Sequence, residues 1–492
     1  MSLISFSDVS FTYDGSYDPV FEHLDLQLDT DWKLGVIGRN GRGKTTLLRL
    51  LMRQLEPSGR IDCPVPCAYF PYPVADPARP ALEVAAGAVR EFQLWQLERE
   101  LARLNVAPTV LARPFATLSN GEQTKLLLAA LLLNEEQYLL IDEPTNHLDL
   151  PARQLVGDYL RGKQGFMLVS HDRAFLDRCV DHVLSIGRST IEVQRGNYST
   201  WQLGRDRQDA LELAQNQRLR REIQRLDEAS QRAGRWSDRI ERGKTGGACS
   251  SAVKDRGYIG HQAARMAKRA KSIEIRRQAA VERTTGLLKD IEQHDALKLF
   301  PQSYRAPVLA EARDLVVQYG AAPVCGPVSF AVRRGARLAL AGRNGSGKSS
   351  ILKLLAGQDI PHHGLFRMGG GIELSYVPQD ASFLRGSLTD WLRGQSVDQS
   401  QCMTILRKLG FARVQFEKSM DDYSAGQKKK VLLAASLCRR AHLYLWDEPL
   451  NYIDLLSRQQ LEQLLLEFAP TMVFVEHDEL FCRNVATETV QL

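Results

Sequence analysis

Long apolar runs are missing from this chain of 492 residues. A membrane-crossing helix needs about 18 or more consecutive apolar residues. The longest uninterrupted run, Leu126–Leu133, stops at Asn134, so no membrane span is expected. Ser7 and Asp8 break the N-terminal apolar residues before a secretory leader can form, which makes the cytoplasm the expected compartment. Cysteine is sparse as well. Its eight copies are scattered, and only Cys63 and Cys67 lie close together. With no second pair to complete a zinc site, reduced thiols are expected. The net charge is only +6, a balance that permits contact with nucleic acid without demanding it. No base-reading module is visible.

What the chain does contain, it contains twice. Gly38-Arg-Asn-Gly-Arg-Gly-Lys44-Thr45 returns as Gly342-Arg-Asn-Gly-Ser-Gly-Lys348-Ser349, and each follows an apolar strand-like run. Both fit the phosphate loop G-x-x-x-x-G-K-[ST]. Its backbone N–H groups cradle phosphate, its lysine reaches the outer phosphates and its hydroxyl can bind Mg²⁺. Candidate phosphate-loop contacts are therefore Gly38, Asn40, Gly41, Gly43, Lys44, Thr45 and Thr46. The matching set is Gly342, Asn344, Gly345, Gly347, Lys348, Ser349 and Ser350.

The duplication extends past these loops. The phosphate loops are 304 residues apart. Leu118-Ser-Asn-Gly-Glu122 returns as Tyr423-Ser-Ala-Gly-Gln427 at a shift of 305. Leu139-Leu-Ile-Asp142-Glu143 returns as Tyr444-Leu-Trp-Asp447-Glu448 at the same shift, and His171 returns as His477 at 306. A near-constant offset over four motifs means two copies of one domain. Each copy is long enough to bury its own core.

The motif order resembles an ABC-type ATPase in both copies. That resemblance implies an α/β fold: two tandem ATPase domains, each with a mostly parallel sheet, binding ATP and Mg²⁺ and hydrolysing ATP to ADP and phosphate. Thr45, Ser349, Asp142 and Asp447 match the family's metal positions, with Gln379 added. Glu143 and Glu448 match the residue that polarises the attacking water, and His171 and His477 match the switch histidine. Ser119 and Gly121, like Ser424 and Gly426, match signature loops that bind ATP held by the opposite domain. Asp149 and Asp454 match D-loop positions at the seam. The expected sites are thus composite: the 38–45 loop with Ser424 and Gly426, and the 342–349 loop with Ser119 and Gly121. Tyr13 and Tyr319 lie upstream of their loops and are open to two readings, stacking on adenine or plain packing.

Three departures stand out. Tyr72 occupies the place of the Q-loop glutamine that the second copy keeps as Gln379. Asn120 and Ala425 replace the second signature glycine. Leu450 and Tyr452 stand where the first copy has Thr145 and His147. The expectation is that both sites bind ATP and turn over unequally.

Between the copies, Trp201 to Phe300 holds 22 Lys+Arg against 14 Asp+Glu, so the remainder of the chain is slightly acidic. Apolar residues at helical spacing (Leu211, Ala214, Leu219, Ile223, Leu226; then Ala263, Met266, Ala267, Ala270, Ile273) flank a Gly-rich stretch from Gly243. This reads as a long helical hairpin with its tip at 236–260. Arms of about 35 residues reach roughly 50 Å. Arg235, Arg239, Arg242, Lys244, Lys254 and Arg256 around the tip suit phosphate backbones. Trp236 and Tyr258 among them are open to stacking on bases or to packing. The expected domains are 1–203, 204–300 and 301–492.

Two such domains joined by a charged hairpin resemble the ABC-F proteins. These act on the 70S ribosome, where the hairpin meets 23S rRNA and the P-site tRNA. The chain would then be a monomer whose two ATPase domains pair within one molecule. The closer resemblance is to Lsa-type resistance proteins, on Trp32-Lys-Leu-Gly-Val-Ile-Gly-Arg-Asn-Gly-Arg-Gly-Lys44, Trp446-Asp-Glu-Pro-Leu-Asn-Tyr452 and Glu476-His-Asp478. Loop-to-signature spacing is 76 residues in the first copy and 77 in the second, so no extra arm is expected. The 15 residues after His477 suggest no C-terminal extension. Members of that type are similar in displacing lincosamides, pleuromutilins and streptogramin A drugs from the ribosome. Two alternatives remain: a housekeeping ABC-F factor, and the duplicated ATPase of an importer. The importer needs a membrane partner and no basic hairpin.

Overall fold

The computed structural model describes residues 2–187, 190–208 and 297–492, apart from 16, 17, 90, 91, 135, 147, 321 and 396, together with isolated positions between 210 and 279. The chain divides into two compact units. One comprises Met1–Gly187, Ile191–Trp201 and His294–Leu492, and the other Arg188–Thr190 and Gln202–Gln293.

The first unit holds both sequence copies. In the first copy six strands run in the order β5 (Cys67–Phe70), β6 (Tyr138–Asp142), β7 (Phe166–Val169), β3 (Lys33–Gly38), β8 (His182–Ile186) and β9 (Ile191–Arg195). All neighbours are parallel except β8 and β9. The second copy repeats the plan with five parallel strands: β14 (Leu374–Val377), β15 (Leu443–Asp447), β16 (Met472–Val475), β12 (Arg337–Ala341) and β17 (Glu488–Gln491). Beside each lies a three-stranded antiparallel sheet, β2 (Phe21–Asp29), β1 (Leu3–Phe11) and β4 (Ser58–Asp62), or β11 (Ala322–Arg333), β10 (Val308–Tyr319) and β13 (His362–Met368).

The apolar runs that read as strands are buried on both faces, as parallel sheets require. Alternation sends successive residues to opposite sides. Leu139 and Ile141 enter one apolar cluster, Tyr138 and Leu140 another. In the second copy Tyr444 and Trp446 face one cluster, Leu443 and Leu445 the other. Every strand bearing site chemistry therefore ends, fully clamped, at the same edge of its sheet. The run Leu126–Leu133 falls on the helix Asn120–Leu131, whose residues from Leu126 on are buried, with its end just beyond it.

In the second unit the described residues between 202 and 279 are helical, and Leu211 and Ile275 among them are exposed. The tip at 236–260, with Arg235, Arg239, Arg242, Lys244, Lys254 and Arg256, lies outside the described residues. Among the described residues no helix is long and apolar enough to cross a membrane. The described cysteines are free, with the sulfurs of Cys63 and Cys67 3.8 Å apart.

Candidate active site

Each phosphate loop begins where a central parallel strand stops and a helix starts, Lys44–Leu51 after β3 and Lys348–Leu355 after β12. Ligands of open α/β sheets bind at such strand ends. Gly43 and Gly347 sit in the left-handed region at φ 91° and 89°. A Cβ on Gly43 would lie 2.6 Å from Val20, and one on Gly347 2.9 Å from Cys325, so no other residue fits. Lys44 Nζ donates to the carbonyls of Gly38 (2.7 Å) and Arg39 (3.1 Å), and Lys348 Nζ to those of Gly342 (2.9 Å) and Arg343 (2.7 Å). Burial lowers the pKa of both lysines. Asp454, Glu143 and Asp142 oppose the shift at Lys44, and Glu448, Asp149 and Asp447 at Lys348.

The carboxylates come next. Strand pairing sets Asp142 opposite Val169 and Asp447 opposite Val475. Asp142 Oδ2 accepts from Thr45 Oγ1 at 3.0 Å and from Tyr69 Oη at 3.1 Å. Burial raises the Asp142 pKa against these bonds. Both Asp447 carboxylate oxygens are buried without a hydrogen-bond partner. Burial pushes its pKa up to about 6, with Ser349 partly offsetting the shift. Hard oxygen donors beside a loop hydroxyl fit Mg²⁺.

Glu143 and Glu448 follow in the left-handed conformation, φ 49° and 48°. Neither is glycine, and such strain concentrates at functional sites. The N–H of Glu143 donates to Val169 O and that of Glu448 to Val475 O, both at 2.9 Å. His171 Nε2 stands 3.4 Å from Glu143 Oε1 and 3.1 Å from Asn40 Oδ1, and His477 Nε2 stands 3.6 Å from Glu448 Oε1. Burial, with Lys44 adding, holds the His171 pKa well below the usual range, so that ring is neutral.

The environments of the two glutamates differ. Burial first, then the charge of Asp142, pushes Glu143 up to about 7 against Arg458 and Lys44. Burial also opposes ionisation of Glu448. There, however, the nearby His477 ring, Gln379 and the Asn451 amide outweigh it and hold the carboxyl at about 2. Asn451 Nδ2 donates to Glu448 Oε2 at 2.7 Å.

The signature serines cap helices. Ser119 and Glu122 exchange bonds at the start of Asn120–Leu131, as do Ser424 and Gln427 at the start of Ala425–Cys438. Around the second phosphate loop a cavity of about 940 Å³ is lined from both halves. The first copy contributes Ser119, Gly121 and Asp149; the second contributes Asn344, Gly345, Gly347, Lys348, Ser349, Ser350, Gln379, Glu448 and His477. The Asn344 N–H donates to Asp149 Oδ2 across the seam at 3.3 Å. The first phosphate loop faces a smaller cavity, about 430 Å³. Its lining is Tyr13, Asn40, Gly41, Gly43, Lys44, Thr45, Thr46, Asp142, Glu143 and His171, with Tyr452 from the other half. Ser424, Gly426 and Asp454 do not line it. Tyr452 comes between: a Cβ on Gly426 would meet Tyr452 Cβ at 2.8 Å, and the Tyr452 carbonyl accepts from Asn40 Nδ2 at 3.0 Å. Asp454 is buried, caps the helix Leu455–Phe468 and faces Lys44 electrostatically.

Other residues lie as follows. Tyr13 Oη is 2.9 Å from Thr46 Oγ1, and Tyr319 Oη 3.2 Å from Ser350 Oγ. Tyr72 turns away from the first site and donates to the Gly87 carbonyl at 2.7 Å. Sequence reasoning missed Tyr69, Asn451 and Arg153. Arg153 Nη1 bonds Asp172 (2.9 Å) and crosses to the His477 carbonyl (3.1 Å). Asn451 had a signal, three residues after Glu448 in Glu-Pro-Leu-Asn; Tyr69 and Arg153 had none.

Two stretches, 21–146 and 325–451, match the family described as ABC transporter, and they hold both phosphate loops and both Asp-Glu pairs. The chain belongs to that family. It consists of two tandem ABC ATPase domains, and it is an ATPase. The chain is 26% identical to the "Ribosome protection protein VmlR" of Bacillus subtilis, over 97% of this chain and 84% of that protein. It is 29% identical to the "Probable ATP-binding protein YheS" of Escherichia coli K12, over 93% of this chain and 74% of that protein. These are relatives of the ABC-F type. Among solved structures it resembles the archaeal ribosome recycling factor aABCE1, in complex with a stalk protein, at a TM-score of 0.65 and 19% identity, over 98% of this chain and 87% of that one. At that identity the likeness speaks for the fold alone.

Proposed function

We propose that this chain is an ATP-driven ribosome protection protein of the ABC-F type. It would bind the 70S ribosome from the cytoplasm as a monomer and displace lincosamides, pleuromutilins and streptogramin A drugs from the peptidyl transferase centre, as Lsa-type proteins do. The observation that carries the reading is the two-sided cavity at the second phosphate loop, where Ser119 and Gly121 meet Lys348 and Glu448. A site completed only when the halves close lets ATP act as a clamp, and a basic segment between the halves gives the clamp something to present. Near full-length similarity to a protein named for ribosome protection supports the choice of target.

In this reading Thr45 with Asp142, and Ser349 with Asp447 and Gln379, hold Mg²⁺, which neutralises phosphate charge when bound. Lys44 and Lys348 hold the outer phosphates, while Asp149 and Asp454 order the seam. Glu143 and Glu448 polarise water towards the γ-phosphorus, and neutral His171 orients it. Tyr13 and Tyr319, their hydroxyls tethered to the phosphate-loop helices, stand ready to stack on adenine. Arg235, Arg239, Arg242, Lys244, Lys254 and Arg256 meet the backbones of P-site tRNA and 23S rRNA.

The test is growth inhibition by lincomycin, tiamulin and virginiamycin M in a sensitive host. Cells carrying the wild type should gain resistance, and cells carrying Glu143→Gln with Glu448→Gln should not. No change for any drug, with ATP-dependent pelleting on ribosomes retained, would move the assignment to a housekeeping translation factor.

A further inference from the structure

Lys429 is buried, 3% exposed, yet it meets no carboxylate within ion-pair distance among the described residues. Its Nζ donates instead to three main-chain carbonyls: Pro378 (2.7 Å), Gln379 (3.4 Å) and Asp447 (2.7 Å). Burial makes such an ammonium costly to keep, and the charges of Asp447, Glu448, Glu476 and Asp380 offset only part of that cost. Its three acceptors belong to two pieces of the second site. Pro378 and Gln379 form the loop leaving β14, and Asp447 ends β15 immediately before Glu448. Gln379 and Glu448 line the same cavity, and Gln379 favours the ionised form of the Glu448 carboxyl. In the first copy the repeat shift of 305 puts Thr124 at this place, a side chain too short to span loop and strand. There the loop residue matching Gln379 is Tyr72, tied to the Gly87 carbonyl instead.

We propose that Lys429 is a positioning residue of the second site. It staples the Gln379 loop to the end of β15 so that the Gln379 amide is kept beside Glu448, and the first site lacks this device. The proposal rests on the reading of Glu448 as the second site's water-polarising carboxylate.

The test uses the full chain carrying Glu143→Gln, so that turnover reports the second site. Adding Lys429→Met should lower kcat by about 10²-fold, the scale of a misplaced catalytic contact, with the KM for ATP changed by less than about threefold. Gln379→Ala should cost about as much, and the two together little more than either, because one acts through the other. Without nucleotide, hydrogen exchange at Gln379 and Asp380 should quicken about tenfold in Lys429→Met, with the signature loop at 424–426 unchanged. A kcat kept within about twofold, penalties that multiply, or exchange that rises throughout the domain would each overturn the proposal. Should the Met variant not fold, Lys429→Thr, which brings in the first copy's short side chain, serves instead, and a folded Thr variant with the parent's kcat overturns it equally. An inactive Glu143→Gln parent would instead overturn the reading of Glu448, and the proposal with it.

Discussion

The two nucleotide sites share a backbone and differ in what surrounds it. Glu143 and Glu448 both follow an aspartate at a strand end and twist to φ 49° and 48°. Each has a histidine Nε2 at 3.4–3.6 Å. Yet one carboxyl is pushed up to about 7 and the other held at about 2. The strand end itself therefore does not set the acidity of the catalytic carboxylate. Loops do, since Asn451 donates to Glu448 and Gln379 lies in the same cavity, while Tyr72 turns to the Gly87 carbonyl. A duplicated domain can thus keep its catalytic residue types and still diverge in electrostatics.

The sharpest way to break the comparison is to remove both carboxylates. Glu143→Gln with Glu448→Gln should lower ATP turnover at least about 10³-fold, within the range for a lost general base, while nucleotide still binds. The ATPase rate and the retention of labelled ATP check both halves of this statement. Turnover within tenfold of wild type would mean that neither glutamate polarises water.

The next contrast is in pH. An ionised carboxylate is the active form, so a raised pKa makes rate climb with pH through that value. With Glu448→Gln leaving only the first site, turnover should rise about tenfold between roughly pH 6 and 8. With Glu143→Gln leaving only the second, the rate should be flat across that window, because Glu448 stays ionised well below it. Identical profiles would erase the asymmetry.

A smaller effect separates two tyrosines at matching places. Tyr69 Oη donates to Asp142 at 3.1 Å, whereas Tyr376 Oη is buried without a partner. Losing one hydrogen bond to a charged group costs about 1.5–3 kcal/mol. Tyr69→Phe should therefore raise the Mg²⁺ concentration needed for first-site turnover about tenfold or more. Tyr376→Phe should leave second-site turnover unchanged. A Mg²⁺ titration of each variant in the matching single-Gln background tells the two apart.

How much of this was legible follows from what each feature depends on. The phosphate loops were readable because their geometry admits few residues: at Gly43 a side chain would collide with Val20 and Phe21. The Asp-Glu pairs were readable because each closes an apolar run and the two recur at the shift of the whole repeat. Tyr69 was not readable, since its contact exists only because β5 pairs in parallel with β6, bringing Phe70 beside Ile141 and Tyr69 within reach of Asp142. Lys429 sits in Gln-Lys-Lys-Lys and looks like part of a solvated helix face; only the tertiary fold buries it. The expectation that Ser424 and Gly426 complete the first site used the repeat's symmetry. The side chain of Tyr452, which replaces a histidine, stands between them and that cavity.

The smallest expected effect sharpens the comparison most. If the glutamine alone made the second site what it is, Tyr72→Gln would make the first site resemble it. The stapled loop argues otherwise, because Thr124 cannot span from loop to strand and the new amide would be free to point elsewhere. Tyr72→Gln in the Glu448→Gln background should thus leave first-site turnover within about twofold and its rise with pH intact. Tyr72→Gln together with Thr124→Lys should move the midpoint of that rise downward, because an amide donating to Glu143 favours its charged form. A downward shift from Tyr72→Gln by itself would show that the glutamine finds Glu143 without being held there.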